Sequence, residues 1–117
     1  MDPRTGCHIL LIDDDHESRD AVAALLTEIG ISVTEVSSAP EALRRLRGGE
    51  RPDVIVLDLM LPGMDGWDFR AVQKSDPALA SIPAVAMSGS GKLLDAARSL
   101  RKPIDPQELL SALAELC

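Results

Sequence analysis

Aromatic residues are nearly absent from this chain of 117 residues, which holds one tryptophan, one phenylalanine and no tyrosine. Any core it forms must be aliphatic. Cysteine is almost as scarce. Cys7 and Cys117 stand at opposite ends, with no CxxC and no metal-ligand spacing, and read as two reduced thiols in a cytoplasmic protein. Basic charge is in deficit, and the formal net charge of −7 argues against a nucleic-acid surface. No apolar stretch approaches a membrane span, and the opening MDPRTG lacks a signal peptide's apolar region, so no membrane partner is expected. Repeats, low-complexity tracts and linkers are also missing. The length suits a single domain, residues 1–117, with one core.

What is present is an alternation of short apolar runs and helical patterns. HILLI (8–12), VIVL (54–57) and AVAM (84–87) read as buried strands, and SVTEV (32–36) as a more exposed one. Between them, residues 16–29 space Ala21, Val22, Leu25, Leu26 and Ile29 as one helical face and stop at Gly30. Ser38 with Glu41 makes a capping box for a helix over 39–47, closed by Gly48-Gly49. LPGMDG leads to a short helix near 66–74, with Asp65-Gly66 as turn and cap chemistry. Asp105, Pro106 and Glu108 open a last helix ending near Leu116. Strands alternating with helices imply a parallel sheet covered on both faces, with every strand's C-terminal end on one edge.

That edge collects the chemistry. HILLI runs straight into Asp13, Asp14 and Asp15, VIVL into Asp58, and AVAM into Ser88. Carboxylates gathered at one strand edge repel one another unless a cation intervenes, and Mg²⁺ suits a sparse oxygen site that also uses phosphate oxygens. An ionised aspartate can attack phosphorus to form an aspartyl phosphate. Lys102, just before the last helix, is the leading candidate for an ammonium facing the phosphoryl oxygens. Asp15 reads as a helix N-cap. His8 and His16 read as bystanders, and Arg44, Arg45, Arg47 and Arg51 as a solvated helix face and loop.

Four segments in order, LLIDDDHESR, VIVLDLMLPGMDGW, VAMSGS and RKPID, resemble the receiver domain of two-component response regulators. The third is highly specific. The resemblance implies an α/β, flavodoxin-like, doubly wound parallel sheet of five strands. It implies that Asp58 is the phosphoacceptor and that Asp13, Asp14, Asp58 and the backbone carbonyl of Met60 hold Mg²⁺. Ser88 and Lys102 would contact the phosphoryl group, and the Lys102–Pro103 peptide would be cis. Implied partners are a histidine kinase or histidine phosphotransfer protein and a downstream target protein. The chain would promote its own phosphorylation and dephosphorylation but would not otherwise be an enzyme. It would be a stand-alone receiver or a fragment of a longer regulator, with no output domain in these residues.

The chain departs from the family between Ser88 and Lys102, where SGSGKLLDAARSLRK is shorter than the usual interval. KLLDAARSL has room for about two helical turns, leaving Leu100 as the apolar candidate for a fifth strand. Either the fourth helix and fifth strand are truncated, or natural residues are missing from this stretch. Without a fifth strand the fourth would have an open edge. Ser99 stands where the family places its switching aromatic, so movement is expected in the loop with Gly89 and Gly91 instead. Met60 and Ser90 stand where the family tunes hydrolysis, and neither positions a water, which implies a long-lived phosphoryl state. Two alternatives carry different expectations. A phosphorylation-independent, receiver-like interaction module would bind partners only. A haloacid-dehalogenase-type phosphatase would use the Asp13/Asp15 spacing, but Glu17 stands where Thr or Val is expected. A P-loop reading of GSGK fails because Ala86 and Leu93 occupy its required Gly and Ser/Thr positions.

Overall fold

A computed structural model describes residues 6–89 and 96–117 of the chain, and each apolar run read from the sequence is a strand in it. The elements are β1 (His8–Ile12), α1 (His16–Glu28), β2 (Ser32–Val36), α2 (Ala39–Arg47), β3 (Val54–Asp58), α3 (Gly66–Ser75), β4 (Ala84–Ser88), β5 (Arg98–Arg101) and α4 (Pro106–Leu116). The strands form one sheet in the order β2-β1-β3-β4-β5, with every neighbouring pair parallel. This is the flavodoxin-like doubly wound order, whose direction of winding reverses between β1 and β3.

Strand periodicity sorts the core into two layers. Leu10, Ile12, Ile55 and Leu57 face the side covered by α2 and α3, where Leu43, Leu46 and Phe69 pack against them. Their alternate neighbours Ile9, Leu11, Val54 and Val56 face α1 and α4, meeting Val22, Leu26, Leu109 and Leu113. Both faces of the central strands are buried, which is why they read as continuous apolar runs rather than alternating ones. The core is aliphatic, as the composition requires, with Phe69 its one aromatic among the described residues.

Helix ends follow the local chemistry closely. Ser38 accepts a hydrogen bond from the Glu41 amide, and Asp105 accepts from Gln107 beside Pro106. Asp65 and Asp68 form a reciprocal capping box at α3. Gly30 closes α1 at φ 95°, a conformation that costs residues with a Cβ. Asp15 does occupy the N-cap position of α1, but its side chain makes no capping bond. The amide of Asp15 itself donates to Asp13 Oδ1 at 2.9 Å, which fixes the chain just before the helix.

Two further expectations change. A fifth strand forms despite the short interval: Arg98–Arg101 pairs with β4 from Val85 to Ser88 and covers its edge. One inward residue suffices, because a four-residue edge strand needs only Leu100 to reach the α1/α4 layer. Of KLLDAARSL (92–100), where helical turns are expected, residues 92–95 lie outside the described residues, and the segment from Arg98 is strand.

The cysteines are not reduced thiols: Cys7 and Cys117 form a disulfide, with Cα atoms 5.6 Å apart. Opposite ends of the sequence meet because β1 begins, and the antiparallel-running α4 ends, at the same pole of the sheet. A separation of 110 residues hides this proximity from any reading of spacing. No described helix is long and apolar enough to cross a membrane.

Candidate functional site

The C-terminal ends of β1 and β3 lie side by side, with Ile12 in register with Leu57, so each strand delivers its next carboxylate to the same point. Asp13 and Asp58 are buried there and Asp14 is exposed at the mouth. One carboxylate oxygen from each of the three lies within 4.8 Å of the others. Lys102 reaches in from the β5–α4 junction, its Nζ 3.0 Å from Asp58 Oδ2 and 3.2 Å from Asp13 Oδ2. Ser88, buried at the end of β4, is tied to this lysine through the backbone, the Lys102 amide donating to the Ser88 carbonyl at 2.8 Å. The Lys102–Pro103 peptide is cis.

Beyond Asp58 the chain folds back on itself. The Met60 amide donates to Asp58 Oδ1 at 2.9 Å, so Met60 begins the loop directly over the acid. Pro62-Gly63 then turns with Gly63 at φ 72°, the left-handed position a type II turn assigns to glycine. The Gly66 amide closes the loop on the Leu59 carbonyl at 3.0 Å. Gly66 does more than cap a helix here. A Cβ at this position would stand 2.6 Å from Leu59 Cα and 2.9 Å from the Asp58 carbonyl oxygen, so α3 approaches the acid-bearing strand end as no larger residue allows. Sequence reasoning assigned this glycine to turn chemistry and missed the close approach, which no local signal announces. It also missed Arg19, whose Nη1 donates to the Asp13 carbonyl at 3.0 Å and braces the loop after β1.

Electrostatically the pocket sets burial against its lysine. Burial pushes the Asp58 carboxyl above its ordinary value, and the nearby Asp13 charge adds to this, while the Met60 amide and Lys102 oppose it. Burial also disfavours the Lys102 ammonium, but Asp58 and Asp13 more than compensate and hold its pKa above the ordinary value. The lysine therefore stays charged and satisfies two of the three acids.

The structure thus brings together Asp13, Asp14, Asp58 and Lys102, places Ser88 on the adjacent strand end, and seats Met60 on the acid through its amide. Ser90 lies outside the described residues, as do Gly91 and the lysine of GSGK. Ser99 is exposed on β5. His8 sits at the far pole of the sheet, its ring against Ser32 and Thr34. Arg44, Arg45 and Arg47 are exposed on α2, as a solvated face would be.

Comparison with known proteins identifies the family and the fold. The family model described as "response regulator receiver domain" matches residues 9–114. The chain is 29% identical to protein PilG of Pseudomonas aeruginosa over 92% of its own length and 85% of that protein. It is 33% identical to the transcriptional regulatory protein GltR of the same species over 95% of this chain but only 49% of that one. Among solved structures, the chemotaxis response regulator CheY4 of Vibrio cholerae superposes with a TM-score of 0.86 at 25% identity, covering 97% of this chain and all of that one. Ordered motifs, strand order and the match over nearly the whole length converge: the chain belongs to the receiver-domain family of two-component response regulators.

Proposed function

We propose that this chain is a phosphoacceptor signalling domain that takes a phosphoryl group onto Asp58 from a histidine kinase or histidine phosphotransfer protein. The observation that carries the reading is the placement of Asp58: a buried carboxylate at a strand end, 3.0 Å from Lys102 and beside two further acids. The donor set suits Mg²⁺, which takes oxygen ligands at about 2.0–2.1 Å and keeps several waters. Asp13, Asp14, one oxygen of Asp58 and the Met60 carbonyl would hold it. When bound, the ion neutralises charge on the phosphoryl oxygens as they approach an acidic pocket.

The remaining work falls to this chain's own groups. The Met60 amide holds Asp58 Oδ1, which fixes the carboxylate plane and orients Oδ2. Oδ2 attacks phosphorus, the bond from phosphorus to the donor breaks, and its electron pair leaves with the donor. Lys102 already contacts Oδ2 and stays close enough to pair with the new phosphoryl oxygens. The Ser88 hydroxyl, on the next strand end, is the remaining donor for them. Because the Lys102 amide is bonded to the Ser88 carbonyl, movement of either is passed to the other and to the start of α4.

The test is intact mass after incubation with Mg²⁺ and acetyl phosphate, comparing wild type with Asp58→Asn. A single metal-dependent phosphoryl adduct, lost in the variant, is expected. Its absence from folded protein that binds Mg²⁺ would instead support an interaction module independent of phosphorylation. Steady turnover of small phosphomonoesters would support the phosphatase alternative.

A further inference from the structure

We propose that the cleft beside the acid cluster is the subsite for the phosphoryl donor's leaving group, and that Trp67 makes it favour donors whose leaving group is a planar ring. The inference rests on Asp58 being the phosphoacceptor. The cleft, about 420 Å³, is lined by Asp14, Met60, Leu61, Pro62, Asp65 and Trp67 among others. That volume falls within the range of small-ligand sites.

Three observations converge on it. First, Asp14 belongs both to the cleft and to the acid cluster, so the cleft adjoins the cluster that phosphorus would approach. In an in-line displacement the leaving group lies on the side of phosphorus away from the attacking oxygen. With Asp58 buried, that side is the mouth, which Asp14 and Met60 border. Second, Met60 and Trp67, the large hydrophobic residues that stand exposed among the described residues at 60% and 37%, both line this cleft. Scattered exposed apolar residues need no explanation, but two sharing one concavity next to a reactive carboxylate do. Third, the second acid on the wall is already engaged. Asp65 Oδ1 accepts the Asp68 amide at 2.9 Å as the α3 cap, so its charge faces the helix N-terminus. Besides the acids, Met60, Leu61, Pro62 and Trp67 give the cleft an apolar and aromatic side, and a flat ring gains contact there that a methyl group does not.

The step balances without a co-reactant. With an acyl phosphate, the bond from Asp58 Oδ2 to phosphorus forms, the phosphorus–oxygen bond to the acyl group breaks, and the electron pair departs on the carboxylate. No proton need move.

The experiment measures phosphorylation rates by intact mass with benzoyl phosphate and with acetyl phosphate, both in Mg²⁺, for wild type, Trp67→Phe and Trp67→Ala. The readout is the change in the benzoyl-to-acetyl rate ratio between proteins, in which intrinsic donor reactivity and any general effect on the fold cancel. The ratio is expected to fall on the order of tenfold from wild type to Trp67→Ala, with Trp67→Phe between them. An equal ratio in all three proteins would overturn the subsite while leaving Asp58 as the acceptor. Absence of an Asp58-dependent adduct with either donor would overturn the functional reading, and the subsite with it.

Discussion

Replacing Gly66 with alanine sets two effects of opposite sign against each other. Gly66 is the first residue of α3 and is not among the glycines at positive φ, so alanine fits its backbone. Helix propensity alone would then favour the variant, by up to about 1 kcal/mol in a helix interior and less at its first residue. The opposing effect is steric. The new Cβ would stand 2.6 Å from Leu59 Cα, 2.8 Å from Leu59 Cδ2 and 2.9 Å from the Asp58 carbonyl oxygen. Carbon atoms normally settle about 3.5–4.0 Å apart, so roughly 1 Å of separation must be found. The Leu59 methyl can rotate aside, but the other two atoms are backbone of a buried strand end and cannot. Overpacking of this kind costs about 1–3 kcal/mol and occasionally more, so the clash outweighs the propensity gain and the variant's net loss is about 0.5–2.5 kcal/mol. For a domain of this size that lowers Tm by about 2–10 °C. Thermal unfolding followed by circular dichroism measures it. The same displacement moves Asp58, so under the proposed function phosphorylation of the folded variant should slow as well. A Tm equal to or above wild type would refute the close approach as the reason for glycine here.

Three other outcomes are expected. In EDTA, Asp58→Asn should be more stable than wild type at neutral pH. Asp58's folded pKa is raised, so its ionisation destabilises the native state as pH rises from the model-compound value of 3.8 through the folded value, and the gain should vanish below that window; denaturant midpoints across pH measure this. Mg²⁺ at ten times its dissociation constant should stabilise the wild type by about 1.4 kcal/mol, or roughly 6 °C in a thermal melt, and the shift should be lost in Asp13→Asn. Reducing the Cys7–Cys117 disulfide releases a loop of 110 residues in the unfolded chain. The loss should be about 2–5 kcal/mol, visible as a lower urea midpoint with dithiothreitol and absent when Cys117→Ser has already removed the bond.

The parts of this fold that the sequence made legible are those written in local periods. β1 and β3 are buried on both faces, so Ile9 to Ile12 and Val54 to Leu57 could not alternate, and their unbroken apolarity announced a parallel interior. Caps at Ser38, Asp65 and Asp105 were legible because the donor and acceptor lie within three residues of each other. The acid cluster was legible for a different reason. Topology carries all strand ends to one edge, so an aspartate directly after an apolar run has a destination even before the strands are seen to pair.

What escaped has the opposite character. Gly66 and Leu59 are near in sequence, but their contact depends on the path of a loop, and the same dipeptide Asp-Gly explains a turn just as well. Asp15 does stand at the N-cap of α1, as its residue type suggests, but its side chain makes no capping bond. The deeper acid, Asp13, takes the bond to the Asp15 amide because its side chain is folded back over the chain at the strand end. The disulfide depended on which pole of the sheet each end of the chain reaches. β5 depended on how little a strand needs when a partner already fixes its register. Ser99 and Arg101 alternate outward while Leu100 turns in, so the edge of β4 is satisfied by backbone pairing and a single apolar anchor. That economy bears on signalling. Ser99, three residues before Lys102, is exposed and small, so that position holds no aromatic to swing inward. Under the proposed function, the bond between the Lys102 amide and the Ser88 carbonyl is a route among the described residues by which a phosphoryl contact would reach α4.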